Sequence, residues 1–128
     1  PANVFVATFI GSPAMNLLKG RVGADRQSVT LAGGASVAVP GLDTDAGREV
    51  TVGVRPEHLE LSGGDGIACK VVVVEPTGAD TQVMARCEAG DIAAIFRERH
   101  DFKPGEAITL QAQPGLAHVF DAHTGKRI

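Results

Sequence analysis

The sequence predicts an all-β fold, an antiparallel barrel or sandwich of roughly seven to nine short strands preceded by one short helix. Three observations carry this. Valine-led runs alternate with smaller or polar residues, as in Val50-Thr51-Val52-Gly53-Val54, the period-two pattern of a strand. Glycine and proline punctuate the chain at short intervals, among them Gly33-Gly34, Pro40-Gly41, Pro76-Thr77-Gly78, Ala89-Gly90-Asp91, Lys103-Pro104-Gly105 and Pro114-Gly115. Each supplies the preset φ or the positive φ that a reversal needs. The middle of the chain also lacks any stretch of ten or more residues with a helical stripe.

Taken in order, Pro1 to Ile10 is the helical exception. Phe5 and Phe9, and Val6 and Ile10, stand at i,i+4, with Pro1 at the start and Gly11 just past the end, the asymmetry of helix termini. Its nearly all-apolar character also suits a strand. Ser28 to Leu31 and Ser36 to Val39 read as a hairpin across Gly33-Gly34. Val50 to Val54 reads as a half-buried strand, and the continuously apolar Val71 to Val74 as a strand covered on both faces. Val83, Ala85 and Cys87 alternate with Gln82, Met84 and Arg86, and Ile92 to Phe96 and Ile108 to Gln111 complete the set. A composition shift at Ser62 to Gly66 is read as a seam between two small β subdomains, too short to be a flexible linker.

Composition narrows the function. A chain of 128 residues is one domain long and buries about two-thirds of the surface its unfolded form exposes. Apolar residues make up 44%, with five Phe and neither Trp nor Tyr. Twelve basic residues against fifteen acidic ones leave a net charge of −3, no field for nucleic acid or anionic lipid. Arg97-Glu98-Arg99-His100-Asp101 interleaves both signs, as in a solvated loop. Cys69 and Cys87 form no Cys-x-x-Cys pair, so reduced, mostly buried thiols are expected. No run approaches the ~18 apolar residues of a spanning helix, and no leader opens the chain. It starts Pro1-Ala2-Asn3, compatible with Met removal or with a longer parent.

Catalytic patterns are missing. A P-loop needs Gly-x-x-x-x-Gly-Lys-Ser/Thr, and Gly125-Lys126-Arg127 lacks both the upstream glycine and the hydroxyl. Ser12 sits in Gly11-Ser12-Pro13, not in a nucleophile elbow. His58, His100, His118 and His123 show no metal-ligand spacing. His118 and His123, near Asp121, suit hydrogen bonding at a strand edge.

Four segments are more specific than their physics requires: Phe5-Val6-Ala7 through Asn16, Gly53-Val54-Arg55-Pro56-Glu57-His58, Val74-Glu75-x-x-Gly78-Ala79-Asp80, and His118-Val119-Phe120-Asp121-x-x-Thr124-Gly125. Together, in order and spacing over essentially the whole chain, they resemble the carboxy-terminal TOBE domain, an OB-fold-like β module, of maltose-type ABC-importer ATPases. The Ser-Pro-Ala-Met-Asn-Leu-Leu run and the closing tail look most like the ATPases of sn-glycerol-3-phosphate importers. The resemblance implies that residues 1–11 are the tail helix of a nucleotide-binding domain and residues 12–128 the TOBE/OB-like regulatory domain. It implies a second copy of the ATPase as partner, membrane permease subunits reached through the missing domain, a cytosolic regulator, and a cytoplasmic location at the inner face of the membrane. No nucleic acid is expected. ATP and Mg would belong to the missing domain, and no catalytic, cofactor or metal residue is assigned here.

Within that frame Arg55, Glu57 and His58 form the expected regulatory hub, projected at the barrel rim by Pro56, with Phe120 and Asp121 as further interface candidates. The opposing reading gives Arg55 and Glu57 internal salt bridges or the capping of a short helical turn. The competing function is a sensor of a phosphate ester or oxyanion through Gly-rich turns. Against it, Lys19, Lys70, Lys103 and Lys126 are scattered along the chain.

Overall fold

The computed structural model describes residues 15–128; the helix expected over residues 1–11 lies outside them. Ten strands follow: β1 (Asn16–Val22), β2 (Ser28–Leu31), β3 (Ser36–Ala38), β4 (Glu49–Val54), β5 (Leu59–Leu61), β6 (Ile67–Thr77), β7 (Asp80–Cys87), β8 (Gly90–Phe96), β9 (Ala107–Ala112) and β10 (Ala117–Asp121). One 3-10 turn, Pro56–His58, separates β4 from β5. The strands form two five-stranded sheets, ordered β10-β4-β1-β2-β3 and β5-β9-β6-β7-β8, and every pairing is antiparallel. This is the curled, OB-like all-β class that the sequence predicts.

One apolar cluster unites the sheets. Leu18, Val29, Val50 and Val52 point into it from the first, and Val83, Ile92, Phe96 and Leu110 from the second. The chain changes sheet at Arg55–His58 and returns after β9. Ser62 to Gly66 lies downstream of that crossing, between β5 and β6 of the second sheet.

The expected burial of two strands is reversed, for tertiary reasons. Val50 to Val54 was to be half-buried, but β4 is central, with β1 on one side and β10 on the other, and Thr51 and Gly53 are buried as well as the valines. Val71 to Val74 was to be covered on both faces. A β-bulge between Val71 and Val73 instead buries Val71, leaves Val72 and Val73 each 43% exposed, and packs Val74 only partly against the core. An extra residue in one strand breaks the two-residue alternation.

The strands that periodicity does not announce are β1, β5 and β10. β1 carries Lys19, Gly20 and Arg21 where a strand-like run would have β-branched residues. Gly20 is nevertheless required: a Cβ there would stand 2.6 Å from the Thr30 carbonyl oxygen and 2.7 Å from Val29 Cγ1. The close approach of β1 to β2 thus excludes a side chain.

Candidate functional site

The crossing between the sheets builds the rim that carries Arg55, Glu57 and His58. Register sets Asn16, Val54 and Ala117 in one row across β1, β4 and β10, so three strands end or begin together. Arg55 follows in extended conformation (φ −69°, ψ 144°), and buried Pro56 starts the 3-10 turn, where its fixed φ and missing N–H suit a first helical position. The His58 N–H donates to the Arg55 carbonyl at 2.9 Å, and the His58 carbonyl accepts from Gln113 N at 2.9 Å. The turn is thereby tied to the β9–β10 connection and packs on β8.

The side chains of this turn are largely uncommitted. Among the described residues Arg55 and Glu57 take part in no ion pair, and the Arg55 side chain makes no cap hydrogen bond. His58 is half-buried, and its Nδ1 is covered without a hydrogen-bond partner. His118, opposite Gly53 on β10, joins the same neighbourhood. Burial first, then the charges of Arg127, Arg55 and His58, hold its pKa below the ordinary 6.5. The rim thus carries the Arg55 guanidinium and the Glu57 carboxylate beside His58 and His118. An open cleft of about 240 Å3 lies beside it, lined in part by Val39, Pro40, His118 and Arg127.

That shift has a pH consequence. The unfolded chain, with an ordinary His118, binds its proton more readily than the folded one, so stability rises with pH in this window. His118 should cost stability as pH falls through 6.5 toward its lower folded value. Urea titrations at stepped pH should show a shallower loss in His118→Gln than in the parent, and parallel profiles would exclude this group as the source.

Phe120 and Asp121 are adjacent but serve different parts of the structure. Phe120 is fully buried, on the opposite side of β10 from Val119, against Met15 and Leu17. Gly53 makes room for its ring, since a Cβ there would lie 2.9 Å from Phe120 Cε2 and 2.5 Å from Met15 Sδ. Asp121 organises the closing turn: Oδ1 accepts from Thr124 N at 2.7 Å and His123 N at 2.8 Å, while Oδ2 accepts from Arg48 Nη2 at 2.6 Å. The Thr124 amide first, then Arg48, then the His123 amide hold this carboxyl well below the usual carboxylate range. Arg55, His58 and His118 thus converge, and Phe120 and Asp121 build the strand and turn that support them.

Residue spacing alone did not reveal Asn16. It is 7% exposed, on β1, and its amide Nδ2 donates to the Ala93 carbonyl at 2.8 Å while its Oδ1 accepts from Ala93 N at 2.7 Å. One side-chain amide therefore pairs with an edge strand of the opposite sheet as a peptide group would. The only sequence signal is its place in the Ser-Pro-Ala-Met-Asn motif.

The concavities offer little for a small ligand. An open hollow of about 530 Å3 is lined by Lys19, Arg21, Glu49 and His123 among others. Two of its cationic side chains are already engaged, Arg21 with Glu49 at 2.8 Å and His123 with the same carboxylate at 3.5 Å. Among the described residues no group of three or more His, Cys, Asp or Glu converges as a metal site, and no helix is long and apolar enough to cross a membrane.

Fold and rim together define a small OB-like β module whose distinguishing surface is a structured turn between two sheets. The chain belongs to the TOBE domain family, whose model matches residues 52–120, and the MalK OB-fold domain model matches residues 11–59. The two overlap on β4 and the 3-10 turn. The whole chain is similar to the ABC transporter ATP-binding protein y4oS of Sinorhizobium fredii, 48% identical over 130 residues and 35% of that protein. It is also similar to the sn-glycerol-3-phosphate import ATP-binding protein UgpC of Salmonella typhi, 39% identical over 133 residues and 37% of its length. The chain thus spans little more than a third of these relatives. Among solved structures, the molybdate-bound form of the cytoplasmic molybdate-binding protein ModG superposes with a TM-score of 0.62 over 81% of this chain and 94% of that one. At 17% identity this likeness establishes the fold alone.

Proposed function

We propose that this chain is the regulatory and dimerisation module of the ATP-binding subunit of an ABC importer for sn-glycerol 3-phosphate or a sugar. The observation that carries the reading is the end-to-end match with ABC ATP-binding proteins, through adjoining MalK OB-fold and TOBE segments. In this reading ATP and Mg are held by a nucleotide-binding domain elsewhere in the parent subunit, the complex sits on the cytoplasmic face of the membrane beside its permease subunits, and this module catalyses nothing.

Its mechanical role follows from tethering. Two ATPase domains open and close around nucleotide, and modules that stay paired keep the local concentration of the separated domains high. A regulator binding the paired modules biases the cycle only if its affinity differs between open and closed states. Arg55, Glu57 and His58 supply the contact chemistry at the rim, while Phe120 and Asp121 hold the strand and turn behind it. A pairing of this kind needs about 1,200–2,000 Å2 of total buried surface.

The test uses the full-length subunit. Sedimentation of Arg55→Glu and His58→Ala, singly and combined with Glu57→Ala, should show self-association weakened about tenfold, equivalent to 1.4 kcal/mol. Unchanged association in all variants would remove the hub, and unchanged association after deletion of the whole module would remove the dimerisation role. Uptake of labelled sn-glycerol 3-phosphate against sugars by the reconstituted importer decides the solute.

A further inference from the structure

The two cysteines are both free thiols, and they lie on neighbouring strands. Lys70 of β6 pairs with Arg86 of β7, so the next step along this antiparallel ladder sets Cys69 opposite Cys87. The kind of pair follows from where the backbone groups point. Cys87 closes the two-residue turn to β8 against Gly90, so its N–H and C=O face β8. On β6, Val71 N donates to Glu106 O at 2.9 Å and Val71 O accepts from Gly105 N at 2.7 Å. Two residues back, the polar groups of Cys69 face the same way, toward its partner Ile108 on β9. Neither cysteine directs its backbone groups at the other. Theirs is a non-hydrogen-bonded pair, the class whose Cα atoms stand about 4.5 Å apart with side chains close, inside the disulfide range of about 4.4–6.8 Å.

Both side chains lie on the inner face of the sheet, with Val71 and Ala85 as their neighbours along the strands. Their environments differ. Cys69 is 4% exposed, and burial, then the adjacent Cys87 thiol, push its pKa up to about 12. Cys87 is half-buried and lines an open cleft with Lys70, Arg86 and Glu88. Each thiol donates to a nearby carbonyl, Cys69 Sγ to Ile67 O at 3.3 Å and Cys87 Sγ to Gly90 O at 3.1 Å, so neither is held by a charged partner.

We propose that Cys69 and Cys87 form a redox-modification site, in which a small hydroperoxide reaching Cys87 through the cleft closes a cross-strand disulfide to Cys69. In the first step the Cys87 sulfur attacks the peroxide, the O–O bond breaks, and the thiol proton leaves with the departing oxygen as water or alcohol. The Cys87 sulfenic acid so formed is then attacked by the Cys69 sulfur. The S–O bond breaks, and the hydroxyl departs as water with the Cys69 proton. The dithiol loses two electrons and two protons, and the peroxide is reduced. Cys87 is the attacking thiol because it is reachable, and Cys69 resolves because it is the facing sulfur.

The bond falls where it can be felt by the rest of the fold. Glu88, next to Cys87, rests against Gly33 in the β2–β3 turn of the other sheet, where a Cβ would stand 2.9 Å from Glu88 Cβ. Pinning β7 to β6 at this point stiffens the contact between the two sheets.

Treating the protein with equimolar hydrogen peroxide, alkylating the remaining thiols and mapping peptides without reduction tests the site. The expected result is a single Cys69–Cys87 cross-linked peptide, both thiols lost at one rate, full reversal by dithiothreitol, and a melting midpoint raised by several degrees. In Cys69→Ala the same dose should leave Cys87 as a sulfenic acid, and a second equivalent of peroxide, one being consumed for each oxygen added, should advance it to sulfinic acid. Recovery of Cys69 unmodified while Cys87 is over-oxidised or cross-linked between molecules in the parent protein would overturn the proposal. So would equal protection of Cys87 in the variant. If Cys69→Ala does not fold, the parent peptide map alone decides.

Discussion

Replacing Asn16 with alanine is expected to destabilise the protein by about 2–4 kcal/mol, since two hydrogen bonds are lost together and both backbone groups of Ala93 lose their partner in a partly buried position. Asn16 is 7% exposed and bonds Ala93 N and O at 2.7 and 2.8 Å across 77 residues of chain. Asn16→Asp should not rescue it. A carboxylate still accepts from the Ala93 amide but has no N–H for the Ala93 carbonyl, and it brings a charge to a site without a counter-ion. Urea titrations of the parent and both variants measure the effect. A cost under about 0.5 kcal/mol for alanine would mean that solvent replaces the amide and that the tie contributes little.

Phe120→Ala is expected to cost about 3–5 kcal/mol, the usual range for truncating a fully buried aromatic. The ring is fully buried in a small cluster with Met15 and Leu17, over Gly53 of the central strand. Because this cluster lies apart from the core between the sheets, its collapse cannot be compensated from there. Phe120→Leu refills part of the volume and should recover more than half of the loss. The midpoint of chemical unfolding should fall with an unchanged denaturant slope, while a changed slope would indicate a loosened native state. Through the Asp121 turn that follows it, the same substitution should also disturb the closing segment at His123 to Lys126.

How far the sequence could be read depended on the range of the interaction in question. The β2–β3 hairpin across Gly33-Gly34 and the strands within β7, β8 and β9 were legible, because alternation and turn residues act between near neighbours in the chain. The short 3-10 turn after β4 was foreseeable from Arg55-Pro56-Glu57-His58, since proline fixes its own φ. The motif that marked Phe120 and Asp121 pointed to the right strand end. It could not separate a ring buried over Gly53 from a carboxylate that caps a turn. β1 was hidden by Lys19, Gly20 and Arg21, where the absence of a side chain matters only because β2 passes within contact distance. Asn16 was legible as part of a motif, and its partner Ala93 was not.

From residue order alone came the all-β class, the punctuation of its turns, the lack of recognisable catalytic motifs and the resemblance that led to the TOBE family. The folded chain decided which strand is central and which is bulged, which end of β10 is buried, and which distant residues meet: Asn16 with Ala93, Phe120 with Met15, and His118 with the rim of Arg55 and His58. The division has one physical cause. Backbone propensity and alternation are properties of a few consecutive residues, whereas burial, close approach and electrostatic neighbourhood arise only when segments as distant in the chain as Met15 and Phe120 are brought together by apolar packing.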